Sequence, residues 1–310
     1  MYTPPFHYHR IARAVRLSKY AWWKPLLELF ITCLLGFIFM LVWMILIELV
    51  LVPSGYPLRG AGSILELDES DPASKLMLYG GLAAMLPAPF IAARIMGRPA
   101  GSLLSVYSRF RWKMFFAALA CTVVYWAGMT LIDAAVAGSF TGPNPAELDA
   151  RLIISTMVIF TILPLQCAAE EVIFRGTFAQ TFGAWMKSPW LAYLPGIPAF
   201  VIMHEYDASG LLIIAIFAVM VTILTHRTGG LEVAIAFHIS NNISVEYGEI
   251  MDLNSVDVFT RPTLLLSSEF SIWILFLLLM VVFNRARHRP ETQMHPPMPL
   301  YPQPVAPGQW

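Results

Sequence analysis

The sequence predicts an all-α fold, a polytopic membrane bundle of about eight transmembrane helices, and three observations carry the prediction. The 310 residues are 57% hydrophobic with only 13% charged, well below the ~25% charged share of soluble domains. Apolar runs recur at about the 20-residue length that crosses a bilayer. The polar segments between them alternate in charge from one side to the other. With no water in the bilayer core, each backbone amide must bond within its own segment, so the runs should be helices.

In order, the runs begin near Leu26, Leu76, Met114, Leu152, Trp190, Leu211, Leu231 and Leu264. The first, Leu26 to Val52, is much longer than a signal-peptide core and lacks a small-residue cleavage pattern, so it should remain as a helix. The later runs are shorter and more broken by polar residues. Pro164, Pro195 and Pro198 are placed to kink the fourth and fifth. Residues 1–25 form a basic N-terminal segment, 26–284 the membrane-embedded bundle, and 285–310 a proline-rich tail.

The basic residues fix an expected orientation. All the Lys and Arg side chains except Arg59, Lys75, Arg151 and Arg261 fall on one side, which the positive-inside rule makes cytoplasmic, together with both termini. Acidic residues gather mostly in the opposite loops. The net charge of zero therefore hides a transverse asymmetry that reports topology and gives no footing for nucleic acid. The expected setting is a bacterial-type plasma membrane, with the lipid bilayer as the first partner. Cys33, Cys121 and Cys167 all lie inside predicted spans, where disulfides are not expected. The tail holds seven of the 23 prolines and almost no aliphatic residues, so it is expected to be disordered and solvated. Pro299-Leu300-Tyr301-Pro302 and Pro304-Val305-Ala306-Pro307 have the spacing of ligands for a polyproline-recognising partner.

Glu170-Glu171-Val172-Ile173-Phe174-Arg175 sets three ionisable side chains inside an apolar run. Each charge in hydrocarbon costs at least ~2.5 kcal/mol on insertion scales, which makes such a cluster a functional-site candidate. Helical spacing pairs Glu171 with Arg175 at i, i+4 and leaves Glu170 pointing elsewhere. An unpaired carboxylate in a dry site suits general acid or base chemistry. The other reading is a structural ion-pair network. Cys167 lies one turn before Glu170 and could serve as a thiol nucleophile or as a small packing residue.

Glu170 and His204 are each 17 residues from Lys187, in the turn joining the fourth and fifth runs. Two helical arms of that length would bring them to the same depth, where they could share one water molecule. His238 and Asn242 lie i, i+4 on the seventh run, with Asn241 beside them. Two donors on one face suit the oxyanion of acyl transfer, or interhelical hydrogen bonding.

Glu170-Glu171-x-x-x-Arg175, Phe200-x-x-x-His204 and His238-x-x-x-Asn242, in this order on adjacent hydrophobic runs, resemble the signature of the CPBP intramembrane proteases, also called Abi or CAAX-protease-like. The resemblance covers about Leu152 to Val245 and includes the type II CAAX prenyl endopeptidases and bacteriocin-processing or self-immunity proteins. It implies an intramembrane endopeptidase with a catalytic core at about 152–245. In it Glu170 and His204 would activate water, His238 and Asn242 would stabilise the oxyanion, and Glu171 and Arg175 would support the site. The substrate would be a peptide or protein segment, prenylated in the eukaryotic relatives.

The family is often described as metalloproteases. His204-Glu205 is followed by Tyr206-Asp207-Ala208, so a zinc helix of the HExxH kind is excluded. A zinc ion on Glu170, His204 and His238 and a metal-free glutamate mechanism both stay open, the second slightly favoured. A proton-coupled transporter would also carry such residues, but no related halves are visible. A non-catalytic scaffold or immunity-type binding protein is the other alternative. Asp133, Glu232 and Glu269 stand outside the motif, and Glu232 is expected to pair with Arg227.

Overall fold

A computed structural model describes residues 7–14, 21–51, 71–137, 150–250 and 269–283. The described residues are helical and contain no strand, only an isolated bridge between Ser105 and Gly230. A 3-10 turn, Tyr8–Arg10, leads into α1 (Ile11–Ala14) and then the long α2 (Lys24–Leu51). Two consecutive helices follow, α3 (Pro72–Ala84) and α4 (Pro87–Ile95), continuous enough to count as one span. Asp71 caps α3 by accepting from the Ser74 amide at 3.2 Å, with Pro72 at the first helical position.

After a 3-10 turn at Ala100–Leu103 comes α5 (Trp112–Ala137). Next is a long, interrupted rod built of α6 (Ala150–Thr161), α7 (Leu163–Glu170), a π-helical stretch Glu171–Phe178, and α8 (Ala179–Gly183). Pro164 sits at the break between α6 and α7, where it has no amide to give the ladder. The short helices α9 (Pro189–Tyr193) and α10 (Gly196–Val201) lead to α11 (Ala208–Thr228), α12 (Glu232–Ile250) and α13 (Glu269–Phe283). Asp207 caps α11 through the Gly210 amide at 2.8 Å, and this bond, with the Ser209 hydroxyl, holds its carboxyl below the ordinary range. Gly229 ends α11 at φ 67°, a left-handed conformation that favours glycine.

Among the described residues, five helices are long and apolar enough to span a membrane: Lys24–Leu51, Pro72–Ile95, Trp112–Met129, Ala150–Gly183 and Ala208–Thr228. The described residues do not confirm the expected count of eight. The run from Trp190 is cut by Pro195 into α9 and α10. The polar residues His238, Asn241, Asn242 and Glu246 lower the apolar content of α12, and the eighth run begins near Leu264, outside the described residues, of which Ser271–Phe283 form an apolar helix. The large apolar side chains left outside, among them Phe30, Phe37, Ile45 and Leu49 on α2 and Phe116, Val123 and Val124 on α5, form the surface that hydrocarbon would cover.

Inside, α12 packs against α5, α7 and α11, while α3 packs on α2, α6 and α7. One apolar cluster joins α11, α12 and α13 through Phe217, Leu224, Phe237, Leu275 and Leu279. A second joins α3, α7 and α12 through Tyr79, Leu163, Cys167, Ile235 and Ile239. Cys167 is fully buried there, its Sγ 3.4 Å from Gln166 Oε1, so it is a packing residue of this cluster.

Buried polar bonds tie the elements together. Arg98 donates to Glu28 through Nε and Nη2, and to Ser102 Oγ (3.0 Å) and Gln180 Oε1 (2.6 Å) through Nη1, linking α2, the 100–103 turn and α8. Glu232 pairs with Arg111 at 2.6 Å and also accepts the Arg111 amide; the expected Glu232–Arg227 pair is not formed, because Arg111 reaches the start of α12 from the loop before α5. The N-terminal segment is less open than its basic composition suggests. Tyr8, His9, Ile11 and Ala12 are all buried. Tyr8 donates to the Leu103 carbonyl, His9 Nε2 lies 3.3 Å from the Lys187 carbonyl and Arg13 donates to the Ala184 carbonyl. The proline-rich tail and the side chains of Asp133 and Glu269 lie outside the described residues.

Candidate active site

The site forms where the rod changes its winding. Glu170 is the last residue of α7, and Glu171 opens the π-helical stretch, where Thr177 Oγ1 lies 3.3 Å from the carbonyl five residues back, on Val172. Inserted π turns occur often at functional sites. Here the π stretch holds Glu171, Arg175 and Thr177 buried at the level of α12.

His238, 2% exposed, sits against both adjacent carboxylates. Its Nδ1 is 2.8 Å from Glu171 Oε1 and its Nε2 is 3.5 Å from Glu170 Oε2. Glu171 Oε1 also accepts from Arg175 at 3.1 Å. Glu171 Oε1 accepts the hydrogen bond from Nδ1–H, which fixes the ring orientation and turns Nε2 toward Glu170. Glu170 Oε2 and Glu171 Oε2 are buried without a hydrogen bond in the chain. A buried unsatisfied carboxylate oxygen is costly, and native structures retain such groups where they serve chemistry.

His204 stands differently from the expectation. The second arm is not one helix: α10 ends at Val201, and His204 lies in the turn beyond it. Equal arm lengths therefore do not set its depth. It joins the site through Phe200, whose ring centroid is 4.7 Å from that of His204 and 6.1 Å from that of His238. His204 Nδ1 donates to the Phe200 carbonyl at 2.9 Å, so in the neutral ring Nε2 carries the lone pair. Phe217 forms a second wall, edge-on to His238 at 4.9 Å.

Asn242 accepts from Asn241 Nδ2 at 3.0 Å through its Oδ1, which leaves its own Nδ2 as a donor. Among the described residues, no three His, Cys, Asp or Glu side chains are grouped to hold a metal ion. Glu170 and His238 meet, and His204, which directs Nδ1 to a backbone carbonyl, is not grouped with them. Sequence reasoning did not assign Phe217, nor the Ala218 carbonyl that accepts from Arg175 at 3.4 Å; both lie on α11, which carries no motif. The Phe200-x-x-x-His204 spacing did carry the signal for Phe200.

Residues 151–244 match the family model described as Type II CAAX prenyl endopeptidase Rce1-like. This segment resembles that family. It contains every candidate site residue and runs from α6 to the middle of α12. YyaK of Bacillus subtilis (strain 168), itself uncharacterized, is 27% identical over 191 residues, covering 57% of this chain and 63% of its own length. The chain thus spans under two thirds of that relative. No solved structure matches significantly. The Rce1-like segment carries the polar site, and helices before and after it supply most of the lipid-facing surface.

Proposed function

We propose that this integral membrane protein is an intramembrane endopeptidase of the CAAX-protease type, acting on a peptide or protein segment that reaches the site within the bilayer. The observation that carries the reading is His238 set against Glu170 and Glu171 inside an Rce1-like segment, with a buried, unsatisfied oxygen on Glu170.

Glu170, helped by the Nε2 lone pair of His204, takes a proton from water, and the hydroxide attacks the peptide carbonyl carbon. The carbonyl π electrons move onto oxygen, where donors from His238 and Asn242 stabilise the charge. As the tetrahedral intermediate collapses, the C–N bond breaks and the proton held by Glu170 passes to the leaving amine. His238 serves Glu171 through Nδ1 and the oxyanion through Nε2. Arg175 and Glu171 act through His238 as positioning residues. Every step uses this chain's own side chains. Both termini face the cytoplasm in this reading, from the distribution of Lys and Arg.

Comparing peptide termini across the membrane proteome of cells that carry the native chain, or Glu170→Gln at equal abundance, tests the reading. Termini present only with the native chain establish proteolysis and name the substrate. Unchanged termini, at broad coverage and with confirmed expression, would replace it with a scaffold role.

A further inference from the structure

The segment through α9 and α10 is short for the bilayer it has to cross. Lys187 before it is exposed, as are Glu205 and Asp207 after it. Between these charges the large exposed apolar side chains run from Trp190 and Leu194 to Ile202 and Met203. Thirteen residue steps separate Trp190 from Met203, about 20 Å at 1.5 Å per residue. Hydrocarbon is ~30 Å thick in a typical bilayer.

α11 gives the same height independently. The Trp190 and His226 ring centroids lie 5.3 Å apart and those of Phe200 and Phe217 6.5 Å apart, so α9 and α10 run antiparallel to α11. Leu212 is the first large exposed apolar residue of α11. It stands fourteen residue steps from His226, about 21 Å. By contrast, α2 presents exposed apolar side chains from Leu26 to Val50, about 36 Å of helix. A helix longer than the hydrocarbon tilts. A shorter one has no such remedy, so either the bilayer thins or the charges at its end are submerged. The Asp207 carboxylate is held in place by the Gly210 amide and the Ser209 hydroxyl, with exposed Glu205 beside it, and submerging both is the costlier course.

From these lengths we infer that the face made by α9, α10 and the start of α11 is fitted to a bilayer about 20 Å thick, and that the protein thins the membrane there by about a third. The partner is zwitterionic phospholipid. Its acyl chains cover Trp190, Leu194 and Met203, and the cationic ends of its headgroups meet Glu205 and Asp207. His204 belongs to the same turn, so the thinning draws bulk water toward one end of the candidate site.

The test uses the full chain with Cys33→Ala, which removes the exposed thiol. One nitroxide at a time is placed at Leu194→Cys, Met203→Cys or Ala208→Cys, all exposed positions, and at Leu34→Cys or Val42→Cys on α2. The chain without an added cysteine supplies the background. Collision with oxygen reports hydrocarbon and collision with a water-soluble nickel chelate reports the aqueous boundary, in phosphatidylcholine vesicles of 14- or 18-carbon chains. Oxygen prevails at Leu194 and at both α2 sites, and nickel at Met203 and Ala208, in both lipids. Oxygen prevailing at Met203 in 18-carbon vesicles, where an undeformed bilayer would bury it about 10 Å deep, overturns the inference. Nickel access at Met203 that is present in the 14-carbon lipid and lost in the 18-carbon one also overturns it, because the bilayer then keeps its own thickness. Collision with neither agent at Leu194 and Met203 means that another protein surface covers the face, with the same result. Should the labelled chains lose the native melting transition, Leu194→Asp and Met203→Asp take their place. The first then lowers the melting temperature in 18-carbon vesicles far more than the second, and equal losses overturn the thinning.

Discussion

The guanidinium carbon of Arg175 lies 4.2 Å from the centroid of the Phe200 ring, in a site from which both residues exclude water. Phe200 thus connects the Glu171–Arg175 pair to both candidate histidines. Replacing Arg175 by Met would leave the Glu171 carboxylate buried without its main counter-charge, at a cost of about 3–5 kcal/mol. Arg175→Lys keeps a charge and loses the planar stack, for about 1–2 kcal/mol. Denaturant unfolding in micelles should rank the variants in that order.

Asn242 offers a donor whose effect belongs to the transition state. Asn242→Ala should lower kcat by about 10²–10³ with KM little changed, in line with the loss of one oxyanion donor. Glu170→Gln should lose cleavage altogether while unfolding at the native temperature or above. Steady-state kinetics on a fluorogenic peptide library, with melting curves of the same samples, checks both. An Asn242 effect confined to KM would assign it to substrate binding instead.

Burial holds His9 at about 4, below its ordinary 6.5, with the Lys187 carbonyl pulling the other way. The unfolded chain therefore binds the extra proton first as the medium is acidified. The stability contributed by neutral His9 is present above about pH 6.5 and is lost as pH falls toward 4. The melting temperature should fall across that window, by about 2–4 °C for each kcal/mol withdrawn. His9→Gln, which stays neutral, should flatten this part of the profile.

Arg111, not Arg227, neutralises Glu232. Arg111→Met should destabilise by about 3–5 kcal/mol by stranding a fully buried carboxylate, whereas exposed Arg227→Ala should stay within about 0.5 kcal/mol. A large loss with Arg227→Ala and little with Arg111→Met would place the counter-charge at Arg227.

The helical class and the main polar positions were legible because bilayer physics leaves few alternatives: apolar length marks spans, and each charge inside one stands out. The Glu171–Arg175 pair followed from i, i+4 spacing and is formed at 3.1 Å. What spacing could not supply was partner choice across helices. Glu232 found Arg111, 121 residues away, and Lys75 found Glu246 at a separation of 171. The arm leading to His204 was not legible as broken: Pro195 stands between α9 and α10, and α10 ends at Val201, three residues before His204. The π stretch at Glu171 gave no compositional sign at all.

The docking of residues 8–13 onto residues 183–193 also orders the making of the protein. His9 and Lys187 are 178 positions apart, so the N-terminal segment has nowhere to seat until well over half the chain has left the ribosome. Backbone room at Gly183 is equally demanding, since a Cβ there would fall 1.8 Å from the His9 carbonyl oxygen. During synthesis the segment must wait at the membrane surface while the first four spans insert, and its closure onto the α8–α9 turn is among the last events of assembly.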